Sequence, residues 1–175
     1  MNYSTIAEIY AANSKIRERF KETVNGLTDQ QIESVAETGK WNVRQIVEHV
    51  AIVNEGMAKI CSKLLSKAAA HSNPSDGSAK ISEGFGSALE AVRDERLQAP
   101  EMVHPVHNFS IAFSMETLDR CEAIFAELRP RFETIDAGEP RFPHPLFGDL
   151  SAHEWLILSG AHEMRHLRQI RNLTS

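Results

Sequence analysis

Hydrophobic side chains recur every three or four residues along most of the chain, which is the spacing of one face of an α-helix. The first such segment covers residues 4–24 and ends before Gly26. The second begins at Asn42, which forms an N-terminal capping pattern with Gln45, and continues to Ala70. Its apolar stripe consists of Ile46, Val50, Val53, Met57, Ile60 and Leu64. Two long amphipathic helices are therefore predicted in the first 70 residues.

The C-terminal half predicts two more long helices. Ser114 with Thr117 opens the third, which we expect to end or kink at Pro130. Ser151 with Glu154 makes the capping box of the last helix. No alternating run is long enough to predict a strand, and no internal repeat is visible. Four long helices joined by loops predict an all-α four-helix bundle, with residues 1–175 as a single domain.

The connecting segments are predicted to contain little regular structure. A short helix begins at Thr28 and ends before Gly39. Residues 71–80 are rich in Ser, Asn, Pro, Asp and Gly, which predicts a mobile loop. Residues 81–96 favour a modest helix that two glycines weaken. Residues 138–150 contain three prolines and two glycines and are expected to form an irregular loop.

Charge and composition narrow the possible partners. The net charge is -5, and the acidic and basic residues are interspersed, so the pattern argues against nucleic acid as a partner. The chain has no signal-peptide pattern at its start and no apolar run long enough to span a membrane, which predicts a cytoplasmic protein with no membrane contact. Cys61 and Cys121 lie within helical apolar patterns and are expected to be buried thiols rather than a disulfide.

Three histidines lie on faces that the pattern directs into the core. His162 and His166 are four residues apart, so both imidazoles point from one face of the last helix. The same face of the last helix also carries the apolar residues Trp155, Leu158 and Leu173. His49 lies between Ile46 and Val53 on the buried stripe of the second long helix. Burying one unpartnered imidazole costs about 1–3 kcal/mol, so the pattern predicts a shared partner.

A divalent metal ion held by His49, His162 and His166 is the partner that this pattern favours. Three nitrogen ligands leave coordination positions for water or substrate, which is typical of catalytic rather than structural sites. Zinc, nickel and ferrous iron all accept such ligands. The competing interpretation is that each histidine is hydrogen-bonded to a backbone carbonyl or a carboxylate and binds no metal.

Residues 162–166 also match the HExxH signature of zinc peptidases, in which Glu163 would be the general base. Arg165 places a charge where that motif is uncharged. No His, Asp or Glu follows His166 to supply the downstream third ligand. We therefore interpret Glu163 as a polar residue on the flank of the helix that can pair with nearby arginines.

Two segments resemble the DinB-like superfamily, which includes YfiT-like metal hydrolases and thiol-dependent transferases. Residues 41–50, WNVRQIVEHV, are similar to the tryptophan-led second helix of that family. Residues 144–150, HPLFGDL, lead into Glu154-Trp155 and then into His162-x-x-x-His166-Leu167-x-Gln169-Ile170, which resembles the last helix of the family. The middle of the chain, including residues 99–101, matches more loosely.

This resemblance implies a four-helix bundle, frequently a homodimer, with His49, His162 and His166 as the metal ligands. It implies that the ion activates a water, or a low-molecular-weight thiol such as bacillithiol or mycothiol. The implied target is a small electrophilic substrate, with no chemistry on DNA.

The favoured hypothesis is a metal-dependent enzyme, either a thiol-dependent transferase or a hydrolase, in which the ion acts as a Lewis acid. No acid or base residue is predicted. His104, His107 and His144 lie near prolines in loops that could roof the pocket, and His153 falls on another part of the last helix. Each of these four is interpreted as a surface or loop residue.

Two other hypotheses belong to different classes. A non-catalytic metal-binding helical bundle, with a structural or sensing role, would be favoured if Trp155 or Phe147 filled the space above the metal. A metal-free interaction module would hold the three histidines in a hydrogen-bonded core. Retention of a metal by the purified protein would exclude that last hypothesis.

Overall fold

The structure is a computed structural model that describes residues 3–34, 40–70, 74–93, 95 and 97–175. In chain order, its elements are α1 (Ile6–Asn25), α2 (Asp29–Ile32), α3 (Val43–Ala69), α4 (Phe85–Ala91), a 3-10 helix (Glu101–Val103), α5 (Ile111–Thr134), β1 (Arg141–His144), β2 (Gly148–Ser151) and α6 (Ala152–Thr174). The four long helices form the bundle that the sequence predicts, with α3 packed on α5 and α6, and α1 packed on α6. None of the helices in the described ranges combines the length and the apolar character needed to cross a membrane.

Capping boxes fix the starts of α3 and α6, as the sequence predicts. Asn42 Oδ1 accepts a hydrogen bond from the Gln45 amide at 2.9 Å, and Gln45 Oε1 accepts one from the Asn42 amide at 3.0 Å. Ser151 and Glu154 make the same exchange at the start of α6. Each box satisfies amides that a helix N-terminus leaves without a partner. The two helices that carry the candidate ligands therefore begin at residues that the local sequence defines.

Hydrophobic side chains fill the bundle in two clusters along its length. One cluster lies around the start of α1 and the start of α6 and includes Ile9, Leu65, Phe132 and Leu156. The other lies around the ends of those helices and includes Phe20, Ile46, Leu118 and Leu167. Removal of these side chains from water is the main force that holds the helices together. Cys61 and Cys121 are buried free thiols, as predicted.

A layer of buried polar side chains lies between the two clusters. Arg17 of α1 forms an ion pair with Glu163 of α6, in which Arg17 Nε donates to Glu163 Oε2 at 2.8 Å. The same guanidinium donates to the backbone carbonyl of Leu118 on α5 and to Asn54 Oδ1 on α3 at 3.3 Å. One side chain thereby contacts all of the other three long helices.

The position of Glu163 corrects the sequence interpretation. Glu163 was expected on the flank of the helix, but it is only 3% exposed. Its partner, Arg17, comes from a helix distant in sequence rather than from the arginines around it. Arg17 lies three residues before Phe20 and seven before Val24 on the buried face of α1, and that spacing is the signal that could have revealed it.

Residues 138–150 contain a β-hairpin, and the prediction that no strand would occur was wrong. In this antiparallel pair Arg141 lies opposite Ser151 and His144 lies opposite Gly148. Strands of four residues, one of them containing Pro143, are too short to produce a visible period of two. Gly148 has a φ of 70°, a left-handed conformation that glycine adopts without strain.

The bounds of α5 and α4 also differ from the prediction. Helix α5 begins at Ile111, where Ser110 Oγ accepts from the Phe113 amide at 3.2 Å, rather than at Ser114. It continues past Pro130 to Thr134, because packing of the fully buried Phe132 holds the last turn against the core. Helix α4 covers only Phe85–Ala91, and residues 94 and 96 of the longer predicted helix lie outside the described ranges.

The loop before α4 is attached to the bundle, in contrast to the predicted mobile loop. The Ile6 amide donates to Gly77 O at 2.9 Å, and the Lys80 amide donates to His153 Nδ1 at 3.0 Å. His153, interpreted above as a surface or loop residue, is fully buried. Residues 35–39 and 71–73, where the short helix was predicted to end and this loop to begin, lie outside the described residues.

The contact between α1 and α6 at Gly160 gives the first prediction. A Cβ atom at Gly160 would lie 2.0 Å from Asn13 Oδ1 and 2.7 Å from Asn13 Cγ. Asn13 Nδ2 donates to Leu156 O at 2.8 Å, so the amide cannot move away without losing that hydrogen bond. We expect Gly160→Ala to lower the free energy of unfolding by about 1–3 kcal/mol, measured by urea denaturation followed by circular dichroism.

Gly56 is the matched control for this substitution, because a Cβ placed there would meet no described atom within 4 Å beyond the neighbouring backbone of its own helix. Gly56→Ala should raise the free energy of unfolding by up to about 1 kcal/mol, since alanine is the better helix former. Equal effects of the two substitutions would contradict the close packing at Gly160.

The buried ion pair gives the second prediction. Glu163→Gln leaves the Arg17 charge buried without a counter-charge, so the free energy of unfolding should fall by about 3 kcal/mol in urea denaturation. The exposed pair of Glu55 and Lys59 on α3 provides the control, and Glu55→Gln should change stability by less than about 1 kcal/mol. A loss as small for Glu163→Gln as for Glu55→Gln would refute this role of the ion pair.

Candidate metal centre

The three histidines named as candidate ligands come together between α3 and α6. One candidate ligand atom from each of His49, His162 and His166 lies within 4.8 Å of the other two. Nε2 of His162 lies 3.2 Å from Nε2 of His49 and 3.2 Å from Nε2 of His166. The nitrogen edges of the rings therefore face a common point.

The spacing of these nitrogens fits one metal ion. Two nitrogens bound tetrahedrally to one zinc ion at the usual bond length lie about 3.3–3.4 Å apart, close to the separations found here. His49 is 3% exposed and His166 is 7% exposed, whereas His162 is only partly buried. The cluster is therefore largely enclosed, and His162 is its most exposed member.

Hydrogen bonds on the far side of two rings direct bare nitrogens toward this point. Nδ1 of His49 lies 2.7 Å from the carbonyl oxygen of Val103, which can only accept, so Nδ1 carries the proton. Nδ1 of His166 lies 2.8 Å from Gln169 Oε1 and donates in the same way. In neutral rings with these tautomers, Nε2 of each is an unprotonated lone pair. Such outer partners are a usual feature of metal-binding histidines.

Hydrogen bonding within the cluster cannot satisfy all three rings. His162 Nε2 carries at most one proton, so it can donate to His49 or to His166 but not to both. One of the two partner lone pairs is then left without a proton donor. His162 Nδ1 is also buried without a hydrogen-bond partner among the described atoms. A cation that accepts all three Nε2 lone pairs would give each of them a partner, which the metal-free interpretation does not.

Burial keeps the three histidines in the neutral form that binds metals. It lowers the pKa of His49 below its usual value. Burial, with the charges of His166 and His49, holds the pKa of His162 well below its usual value. Burial and the charge of His49 lower the pKa of His166 to about 3. Each imidazole is therefore uncharged at neutral pH and can offer a lone pair.

The charged surroundings of the triad are cationic. Arg165 lowers the pKa of both His162 and His166 by its positive charge. Its Nη1 donates to the carbonyl oxygens of Val92 at 3.0 Å and Arg93 at 3.2 Å, which ties the segment after α4 to α6. Within the described chain, no carboxylate contributes to the pKa shift of His49 or His166. Arg165 thus places a positive charge near the two candidate ligands of α6.

Of the four other histidines considered in the sequence, His104 and His144 pack against aromatic side chains near the triad. The Trp41 ring lies 4.8 Å from the His49 ring and 5.7 Å from the His104 ring, measured between centroids. The His144 ring of the hairpin lies 5.3 Å from the Trp155 ring, measured between centroids, and Trp155 precedes His162 by seven residues on α6. By contrast, His107 is exposed, and His153 is enclosed at the start of α6 with Nδ1 bound to the Lys80 amide.

Glu48 is a supporting residue that the sequence analysis missed. It is fully buried, and its carboxylate accepts from the His107 amide at 2.8 Å and the Phe109 amide at 3.0 Å. These bonds hold the loop that follows Val103, whose carbonyl orients His49. Glu48 lies between Val47 and His49 on a helix that is buried on several sides. A carboxylate at such a position needs hydrogen-bond donors, and this is the signal that could have revealed its role.

Comparison with known proteins connects this site to a family. The family model described as the DinB superfamily matches residues 12–170. YuaE of Bacillus subtilis, described as uncharacterized, is 23% identical over 158 residues, which cover 86% of this chain and 87% of YuaE. The solved structure of YfiT from Bacillus subtilis, described as a probable metal-dependent hydrolase with an unusual four-helix bundle topology, is 20% identical with a TM-score of 0.55. That match covers 95% of this chain and 84% of YfiT, and it confirms the predicted four-helix bundle.

The buried carboxylate of Glu48 gives the third prediction. Glu48→Leu removes both acceptors, so the amides of His107 and Phe109 must turn to water and the loop should lift from α3. Hydrogen exchange followed by mass spectrometry should show these amides exchanging at least about tenfold faster than in the unmodified protein. Glu55→Leu on the exposed face of the same helix is the control and should leave them unchanged. Unchanged protection in Glu48→Leu would contradict the anchoring role.

Proposed function

Because the chain belongs to the DinB superfamily, we propose that it is a metal-dependent enzyme that acts on a small molecule. His49, His162 and His166 are the ligands of one divalent ion, which is zinc, nickel or ferrous iron. The observation that carries this proposal is the meeting of three Nε2 atoms, two of them kept unprotonated by Val103 O and Gln169 Oε1.

The proposed reaction is hydrolysis or transfer to a low-molecular-weight thiol. A bound ion would supply Lewis-acid chemistry, lowering the pKa of a water or a thiol so that a nucleophile is available near neutral pH. Hydrolysis is supported by the description of YfiT as a probable metal-dependent hydrolase, and thiol transfer by the family resemblance. The positive charge of Arg165 suits an anionic nucleophile or substrate.

The chain's own residues bind and orient in this proposal, and no carboxylate acts as a base. Glu163, which an HExxH peptidase would use, is held by Arg17 in the polar layer of the bundle. His49 and His166 are buried, whereas the side of the triad at His162 remains partly exposed. A small molecule could approach from that side.

The alternative is a non-catalytic metal-binding bundle, which would be favoured if Trp155, Phe147 or another side chain filled the space above the metal. Trp155 Nε1 donates to Phe142 O at 3.3 Å, and the Phe147 ring stacks on the His144 ring at 4.8 Å between centroids. Both side chains thus pack against the hairpin. Together with the partial exposure of His162, these contacts favour an accessible site. The single-domain boundary, the cytoplasmic location and the homodimer stay predictions.

Metal content gives the fourth prediction. Protein purified without an affinity tag or a chelator should hold about one equivalent of metal by elemental analysis, and the variant His49→Ala/His162→Ala/His166→Ala should hold none. His107→Ala, which changes an exposed histidine, is the control and should keep the metal. Circular dichroism should show that the triple variant stays helical, since the hydrophobic clusters hold the fold. Absence of metal from the unmodified protein, even after addition of zinc, nickel or ferrous iron, would refute the proposal.

Activity separates the enzyme from its alternative. The metal-loaded protein should hydrolyse small esters or amides, or conjugate small electrophiles to a thiol, in panels assayed with and without a chelator. The activity should be lost on metal removal and recovered when the metal is returned. Full metal loading with no turnover in either panel would favour the non-catalytic bundle.

A further inference from the structure

A loop beside the three-histidine cluster is attached to α3 through two neighbouring residues of that helix. This segment, residues 101–110, contains the 3-10 helix and ends where α5 begins, and we call it the site loop. The carbonyl oxygen of Val103 accepts a hydrogen bond from His49 Nδ1 at 2.7 Å. The buried carboxylate of Glu48 accepts from two amides in the second half of the loop, at 2.8 and 3.0 Å. Adjacent residues of α3 thus bind both halves of the site loop.

Hydrophobic burial contributes little to holding the site loop in place. Of its residues, all of which the structure describes, only Pro105 is buried, whereas Met102 is 86% exposed and Val106 is 74% exposed. The ring of His104 packs on Trp41, with 5.7 Å between centroids. A segment with few buried apolar contacts opens at a low free-energy cost, so the site loop depends mainly on its hydrogen bonds to α3.

One of these hydrogen bonds depends on which nitrogen of His49 carries the proton. With the proton on Nδ1, His49 donates to Val103 O and leaves an Nε2 lone pair facing His162. With the proton on Nε2, His49 can donate to His162 Nε2, which lies 3.2 Å away, but Nδ1 then places a lone pair against the Val103 carbonyl. The first tautomer fits the closed loop and can bind a cation, whereas the second does neither.

We propose that metal binding at the three-histidine site is coupled to closure of the site loop, with Glu48 as the positioning residue that holds the loop against His49. This inference rests on the proposed function, because it takes the triad to hold a metal ion. A bound ion uses the Nε2 lone pair of His49, so the proton must lie on Nδ1 and the bond to Val103 O is kept. A loop held closed by Glu48 favours the same tautomer before the ion arrives.

Coupling of this kind acts equally in both directions. If the ion favours the closed loop by a given factor, closure of the loop raises the affinity for the ion by the same factor. Loss of an outer hydrogen-bond partner of a metal-binding histidine typically lowers metal affinity by about 10- to 100-fold. The site loop supplies that partner for His49, so a loop that Glu48 no longer holds should weaken metal binding.

Hydrogen exchange followed by mass spectrometry measures the effect of the ion on the loop. The amides of His107 and Phe109, which Glu48 binds, should exchange at least about fivefold more slowly in the zinc-loaded protein than in the chelator-treated protein. The Lys80 amide, which donates to His153 at the start of α6, is the control and should exchange equally in both. Equal exchange of the loop amides with and without zinc would overturn the inference while leaving the metal site in place.

Two substitutions of Glu48 measure the effect of the loop on the ion. Glu48→Gln keeps one side-chain oxygen that can accept from a loop amide, and Glu48→Leu keeps none. Zinc affinity, measured by competition with a zinc-binding dye, should be at least about tenfold lower in Glu48→Leu than in the unmodified protein and intermediate in Glu48→Gln. Glu55→Leu on the exposed face of α3 is the control and should leave zinc affinity unchanged. The zinc-dependent exchange of the unmodified protein tests the coupling even if Glu48→Leu does not fold.

The other possible results overturn the inference in distinguishable ways. Equal zinc affinity in Glu48→Leu and the unmodified protein would mean that Glu48 supports only the fold. Equal weakening in Glu48→Gln and Glu48→Leu would assign the loss to the missing negative charge, which both variants share, rather than to the loop. Failure of the unmodified protein to bind zinc, nickel or ferrous iron would refute the proposed function and, with it, the coupling.

Discussion

The buried guanidinium of Arg17 is the constraint on which the arrangement of the long helices depends. It carries a charge into the interior and therefore must be paired and hydrogen-bonded there. Glu163 of α6, Asn54 of α3 and the Leu118 carbonyl of α5 meet this requirement together. Because Glu163 must face Arg17, the rotation of α6 about its axis is fixed. His162 precedes Glu163 by one residue, so the same rotation turns the candidate ligands toward α3.

A second set of buried carboxylates attaches the irregular segments around the candidate site. Glu48 holds the loop that carries the Val103 carbonyl, and that carbonyl determines which nitrogen of His49 is unprotonated. Glu154 caps α6 and also accepts from the Ser82 amide at 2.8 Å and from Arg141 of the hairpin at 3.2 Å. Burial alone would raise the pKa of Glu154. The hydrogen bonds that it accepts stabilise its charged form more strongly, so its pKa is lowered. The framework thus uses Glu48 and Glu154 to support the segments around the candidate site.

This division explains why a literal HExxH match has a different meaning here. In that motif the glutamate acts as a general base beside the metal. Here Glu163 instead forms an ion pair with Arg17 on the neighbouring face of the helix. A helix presents residues i and i+1 about 100° apart, so consecutive residues can serve different helices. His162 and Glu163 do so, one toward α3 and the other toward α1.

The sequence alone determined the features that depend on local geometry. The four-residue spacing puts His162 and His166 on one face of any α-helix, the capping residues Asn42 and Ser151 set where α3 and α6 begin, and the apolar stripe around His49 directs it inward. Only the tertiary structure decided which distant groups meet. The partners Arg17 and Glu163 lie 146 residues apart, Glu48 and His107 lie 59 apart, and the short strands that position His144 have no pattern of their own. A periodic pattern reports the face on which a residue lies, but the partner across that face is fixed by how the helices pack.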